Sequence, residues 1–233
     1  MQKYKNLTII GTSHIAIQSI KEVEEAISKI KPEIVAIELD KLRFNALIYK
    51  QKRKLNLKDI KKIGMKGFLF NLVGAWIEKK LGKVVGVAPG SEMKKAVEIA
   101  YKIKADIALI DQNISKTLKR LSKEITWKEK FRFIGEIITG IFKRPKIKID
   151  LTKVPSQKII NKLTSRLKKL YPSIYKVLIK ERNEVMAKNL YNLMNTNKEI
   201  IAVMGAGHEE EIIELIKSQK GGAKSKLNLL KPG

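Results

Sequence analysis

The sequence predicts an α/β fold: a mostly parallel central sheet of about five or more strands flanked by helices, with a large helical insertion before the last strand. Three observations lead there. Short continuous apolar runs alternate with segments of helical periodicity, as parallel strands covered on both faces require. Several of these runs end in a glycine or an acidic residue, the punctuation of a strand-to-helix turn. From Ile114 to Asn195 the strand signal stops and only helical periodicity continues.

Taken in order, Lys5 to Ile10 reads as a short strand ended by Gly11. Ser19 and Glu22 have the spacing of a capping box that opens a helix carrying Ile20, Val23, Ile27 and Ile30 on one face. Pro32 stops this helix, and Glu33 to Ile37 forms the next strand, with Glu38 at its carboxyl end. An apolar helical segment from Gly64 to Leu81 follows a basic stretch and falls short of the roughly 20 apolar residues of a spanning helix. Lys83 to Ala88 is a third strand; Pro89-Gly90-Ser91 serves as turn and N-cap, and Glu92 to Lys104 is a helix. Ile107 to Ile110 is a fourth strand that ends at Asp111. The insertion, 113–195, contains a capping box at Thr126 and Glu129, a break at Pro145, and helix starts near Ser156 and Pro172. Lys198 to Met204 is the last strand, Gly205-Ala206-Gly207 its turn, and Glu209 to Lys217 a helix. We read 1–220 as a single domain and 221–233 as a flexible tail.

Composition bounds the function. The chain of 233 residues can bury a sizeable core, and it contains no cysteine, so disulfides, thiolate metal sites and thiol nucleophiles are excluded. Any metal must be held by His, Asp or Glu. The 49 Lys+Arg against 23 Asp+Glu give a net charge of +26, compatible with nucleic acid, an anionic membrane surface or a lysine-rich thermophile surface. The lysines are spread along the chain without interleaved aromatics or a known reading module, so nucleic acid is not an expected partner. The N-terminus has neither an apolar core region nor a small-residue cleavage site, so secretion is not indicated, and the chain as given is expected to be soluble.

In such a sheet the ligand crevice lies outside the carboxyl ends of the strands. The only two histidines are placed there. Each follows a strand by a Gly-x-x step, in Gly11-Thr12-Ser13-His14 and Gly205-Ala206-Gly207-His208. Glycine turns on neighbouring strands would aim both imidazoles into one crevice, where neutral imidazole is a common metal ligand; the alternative is two unrelated turn histidines. Glu38 shares the rim, as a third ligand, a general base or a solvated strand end. Glu92 and Asp111 have the same placement, and Glu92 also suits the positive end of its helix. Glu181 falls on the apolar stripe of its helix with Ile174, Val177, Leu178 and Val185, where a buried carboxylate needs a partner. Arg120 and Arg182 are candidates to pair with a carboxylate or to stabilise oxyanion charge, the alternative being a structural ion pair.

Competing motifs fail. His208-Glu209-Glu210-Glu211-Ile212 lacks the second histidine of a zinc-protease helix. Gly205-Ala206-Gly207 lacks the third glycine of a dinucleotide loop, and three glutamates in the following turn would repel a phosphate. Neither a serine elbow nor a Walker loop occurs.

The segments GTSH at 11–14, AIELD at 36–40, PGSEM at 89–93, ALIDQNISKTLKR at 108–120, VLIKERNEVMA at 177–187 and VMGAGHEE at 203–210 resemble, in this order, the TraB family. That family is related to the pheromone-shutdown and Tiki proteins and to the erythromycin-esterase and ChaN-like group. The resemblance implies a divalent-metal site (Mn, Co or Zn) held by His14, His208, Glu38 and Glu92, with Glu38, Glu181, Arg120 and Arg182 in catalytic roles. It implies a metal-dependent hydrolase, in first place a peptidase acting on a peptide or small-molecule substrate, with a peptide- or ligand-sequestering protein as the alternative. It further implies that membrane segments follow the domain in the full-length protein, that the domain faces the cytoplasm, and that homo-oligomers are possible.

Overall fold

The computed structural model describes residues 1–12, 17–49, 90–142, 156–219 and 229–231. The segment Gly64 to Leu81, the strand Lys83 to Ala88, the break at Pro145 and His14 lie outside the described residues. Six strands form one mixed sheet among them, in the order β1-β2-β5-β3-β4-β6. The four inner strands are β2 (Leu7–Thr12), β5 (Ile200–Gly205), β3 (Ile34–Ile37) and β4 (Asp106–Leu109), and all four are parallel. The edges, β1 (Gln2–Tyr4) and β6 (Leu229–Leu230), are antiparallel to β2 and β4. Both edges depart from the sequence reading. β1 is made by a tight turn at Lys5, whose φ of 53° is left-handed, and Leu229–Leu230 pairs with β4 where a flexible tail was expected.

Successive side chains of a strand point to opposite faces, so each apolar run feeds two cores. From β5, Ile200, Ala202 and Met204 enter one core, and Ile201 and Val203 the other. From β3, Ile34 and Ala36 divide from Val35 and Ile37 in the same way. The second face is covered by α1 (Ile17–Ile30), α2 (Lys41–Ile48) and α3 (Ser91–Lys102), through Val23, Ile27, Phe44, Met93 and Val97. This three-layer arrangement explains why the strands read as unbroken hydrophobic runs.

Two helix starts differ from the sequence reading. α1 already begins at Ile17, which places Ser19 inside the helix, and Glu22 accepts a hydrogen bond from the Gln18 amide. The capping-box spacing at Ser19 and Glu22 therefore falls within the helix and does not mark its start. α3 takes Gly90 as its N-cap, with φ of 82°, because a left-handed backbone there favours the residue without a Cβ over Ser91.

The insertion comprises α4 (Ile114–Glu124), α5 (Trp127–Phe142), α6 (Gln157–Leu170), α7 (Pro172–Tyr175), a π-helical turn (Lys176–Lys180) and α8 (Glu181–Met194), and α9 (Glu209–Ser218) follows β5. α8 and α9 cover the first face of the sheet with Met186, Leu190, Leu193, Ile212 and Ile216. A separate small core of Leu121, Ile125, Tyr171, Ile174 and Val177 holds the rest of the insertion together. The capping box at Thr126 is present: Glu129 Oε2 accepts from Thr126 N at 2.9 Å and from Thr126 Oγ1 at 2.8 Å. The other oxygen of Glu129 accepts from Ser173 N at 2.8 Å, at the start of α7. One buried carboxylate thus satisfies donors at two helix N-termini.

Burial alone would raise the pKa of Glu129, but these hydrogen bonds outweigh it and hold the carboxyl below its ordinary value. A depressed folded-state pKa stabilises the fold fully above the unfolded-state value, and this contribution is lost as pH falls through the folded-state value. Replacing Glu129 by Ala is expected to destabilise the protein by about 1–3 kcal/mol at neutral pH, with a smaller loss in acid. Urea unfolding of both proteins across the acid range measures this.

Candidate functional site

The register of the sheet puts three strand ends on one rim. Thr12 lies opposite Gly205, and Ile37 opposite Val203, so β2, β5 and β3 end together. Beyond the last ladder positions, Ala206 N donates to Thr12 O at 2.9 Å and Glu38 N donates to Val203 O at 3.1 Å. The Gly-x-x-His turn that begins at Gly205 therefore stands between the end of β2 and Glu38. His208 is 6% exposed and Glu38 5%.

Gly11 is required for space rather than for its dihedral freedom, since among the described glycines only Gly90 has a positive φ. A Cβ at Gly11 would lie 2.4 Å from Glu209 Oε2 and 3.0 Å from the Cα of Ala206. Glu209, the first residue of α9, thus fills the notch that Gly11 leaves, and it accepts a hydrogen bond from the Gly11 backbone. Burial pushes its carboxyl above the usual range despite that bond.

Glu38 is fixed from two directions. Its Oε2 accepts from Gly205 N at 2.7 Å, and its Oε1 accepts from Nη2 of Arg182. The same guanidinium grips Asp111, at 2.6 Å from Nη2 and 3.1 Å from Nε, while Nη1 donates to Leu178 O at 3.1 Å. Arg43 adds a second cation, 2.6 Å from Asp111 Oδ2. Asp40 caps α2 by accepting from Arg43 N at 2.8 Å and also accepts from Ile114 N, at the start of the insertion. Burial works against the charge on Arg182, but Glu38 and Asp111 outweigh it and raise its pKa, so the guanidinium stays protonated.

The π-helical turn before α8 decides which residue of Glu181-Arg182-Asn183 reaches the rim. A regular helix would keep Glu181 on the stripe of Val177 and Val185. The π turn shifts the register, and below it the buried stripe runs through Asn183, Met186, Ala187 and Leu190. Glu181 is instead partly exposed and pairs with Arg120, at 2.6 Å and 3.2 Å, while Arg120 also meets Glu124 at 3.0 Å. The sequence reading placed Glu181 inward; the structure gives that position to Arg182 and Asn183. Arg120 and Glu181 form an ion pair within the insertion, bonded to neither Glu38 nor His208.

Asn183 is fully buried and sets the state of His208. Its Nδ2 donates to Glu211 Oε2 at 2.9 Å, which turns its Oδ1 toward Nδ1 of His208, 2.5 Å away. The proton of a neutral imidazole therefore belongs on Nδ1, and the ring lone pair on Nε2. That Nε2 faces Glu38 Oε1 at 3.4 Å. A proton or a metal ion would satisfy this facing of lone pair and carboxylate oxygen, and the Arg182 guanidinium already bonds the same oxygen. Donors of a tetrahedral ion bound at about 2.1 Å lie about 3.4 Å apart, so the pair fits two corners of such a site. Among the described residues no group of three His, Asp or Glu side chains suited to a metal is present. Glu92, on the first turn of α3, is 1% exposed.

The sequence pattern of the TraB/PrgY/gumN family matches residues 2–220. The chain belongs to this family. An uncharacterised protein of Methanocaldococcus jannaschii is 40% identical over 219 residues, covering 93% of this chain and 55% of the relative. TraB domain-containing proteins of Homo sapiens and Mus musculus are 20% and 19% identical over 186 residues, covering 75% of this chain and 49% of each relative. The chain thus spans about half the length of the curated relatives it matches. Of the residues gathered at this rim, the sequence reading names His208, Glu38, Asp111 and Arg182 as candidates, and not Asn183, Glu209, Glu211, Asp40 or Arg43. Asp40, directly before a helical segment, carried an N-cap signal. Asn183 carried none, because its partners lie on α9.

Gly11→Ala is expected to destabilise the protein by about 1–3 kcal/mol, since Glu209 must leave the notch and the Ala206 backbone must yield. The variant Gly11→Ala/Glu209→Gly should recover part of that loss, because the overlapping carboxylate is gone; urea unfolding of the four proteins of this cycle measures the coupling.

Proposed function

We propose that this chain is a metal-dependent hydrolase whose first substrate class is the peptide bond. The observation that carries the reading is the 3.4 Å approach of His208 Nε2 to Glu38 Oε1, with the tautomer set by Asn183, at the carboxyl ends of parallel strands. His208 and Glu38 would hold a divalent ion, with His14 and Glu92 as the further ligands that the family resemblance implies. When bound, such an ion polarises a carbonyl and makes a water molecule acidic enough to attack it.

The other residues serve that arrangement. Asn183, by accepting from Nδ1, leaves the lone pair of a neutral His208 on Nε2, which faces the rim. Arg182 and Gly205 N fix both oxygens of Glu38, so the carboxylate meets a ligand without reorganising. Every nitrogen of Arg182 has a protein partner, which favours an orienting role over oxyanion binding. Arg120, held by Glu181 and Glu124, acts within the insertion.

A second reading, a ligand-sequestering protein without turnover, draws support from the same guanidinium. Arg182 already neutralises Glu38 Oε1, so an incoming cation must compete with it. Membrane attachment of a longer protein belongs to either reading. Among the described residues no helix is long and apolar enough to cross a membrane, and the +26 charge suits a cytoplasmic face.

The protein, stripped with chelator and reloaded with Mn²⁺, Co²⁺ or Zn²⁺, is expected to cleave members of a peptide library. His208→Ala and Glu38→Ala should each lower kcat/KM by about a hundredfold or more. Full hydrolysis by His208→Ala would overturn the metal reading, and a tightly bound peptide that stays intact would favour sequestration.

A further inference from the structure

Glu209 has one oxygen too many for the part it plays in the fold. It is 7% exposed, and holding β2 against the start of α9 takes a single acceptor for the Gly11 backbone. A neutral glutamine would supply that acceptor. Yet the residue is a carboxylate, and its Oε1 is buried without a hydrogen-bond partner among the described residues. A buried unpaired oxygen of a potential anion is a liability that folded proteins otherwise avoid. The start of α9 moderates the cost, but Glu210 and Glu211 already occupy the same helical turn.

The position gives the extra oxygen a purpose. β5 lies between β2 and β3, and the His208 turn continues β5. Glu38 flanks this turn on the β3 side, with both oxygens engaged. Glu209 flanks it on the β2 side, against Gly11, with one oxygen engaged.

We propose that Glu209 is a ligand-binding residue of the site, whose Oε1 receives a positively charged group, a divalent cation or the ammonium of a peptide terminus, on the β2 side of His208. The proposal rests on the reading of this rim as the functional site. It assigns Glu209 two duties with different chemical requirements: the contact with Gly11 needs an acceptor, and the ligand contact needs a charge.

Glu209→Gln separates the two. The amide oxygen can still accept from Gly11, so the Gly11 amide should keep its protection against hydrogen exchange. The buried charge is removed, so the melting temperature should stay or rise. Binding should weaken about tenfold for whichever probe the unaltered protein takes up, Mn²⁺ or tetraglycine with a free amino terminus, each titrated calorimetrically. Loss for Mn²⁺ identifies the charge as a metal ion, and loss for tetraglycine alone as an ammonium. Equal binding by Glu209→Gln and the unaltered protein overturns the proposal, as does a lower melting temperature with unchanged binding, which marks a purely structural carboxylate. If the unaltered protein takes up neither probe, the metal reading and this proposal both fail; uptake of Mn²⁺ that is insensitive to Glu209→Gln overturns this proposal alone.

Discussion

The guanidinium of Arg182, set between Glu38 and Asp111, is the interaction on which the site depends. Glu38 follows β3, Asp111 follows β4, and Arg182 lies in the first turn of α8, so one cation ties two strand ends to the inserted helices. Asp111 has a fully buried side chain, and Glu38 nearly so. Two carboxylates this far from water require such a partner, because leaving either unpaired costs about 3–5 kcal/mol. Arg43 and Asp40 extend the network toward the surface and carry it to the first residue of α4. The insertion is therefore joined to the sheet electrostatically at the rim and hydrophobically beneath it, where α8 packs Met186 and Leu190 on the first face.

This arrangement puts a π-helical turn at the centre of the fold. The extra residue in Lys176–Lys180 lets three consecutive side chains serve three partners: Glu181 meets Arg120 in the insertion, Arg182 meets the strand ends, and Asn183 meets His208 and Glu211. In a uniform helix the stripe above the turn would continue through Glu181, and Asn183 would leave the core line. π turns recur where a helix must present side chains that its regular period would misplace. Asn183 then passes the effect to the ring of His208, whose protonation pattern depends on an amide fixed by a third residue.

The glycines at the rim act through what they make room for. Gly11 leaves the notch filled by Glu209, and Gly205 offers its N–H to Glu38. Each of these two glycines thus has a carboxylate against it, Glu209 at Gly11 and Glu38 at Gly205. Glu38, Asp111 and Glu209 thus gather at the carboxyl ends of parallel strands in a protein of net charge +26, and Arg182 and Arg43 balance the first two.

The sequence by itself determined whatever is encoded over a few residues. The period of apolar residues fixed the four inner strands and most of the helices. Thr126 and Glu129 announced their capping box, and strands ending at Glu38, Asp111 and the two glycine turns announced the rim. The same short-range logic misread Ser19 and Glu22, whose spacing matches a capping box but falls inside a helix. Only the tertiary structure decided which groups meet. Arg182 lies 144 residues from Glu38 and 71 from Asp111, and no local pattern links them. The inward turn of Asn183 instead of Glu181 depends on a π turn that the packing of the insertion imposes. The match of Glu209 to Gly11 depends on β5 lying beside β2. Periodicity records how a segment divides between core and solvent, whereas the partner of a buried charge is set by strand order, register and helix phase, which exist only once the chain has folded.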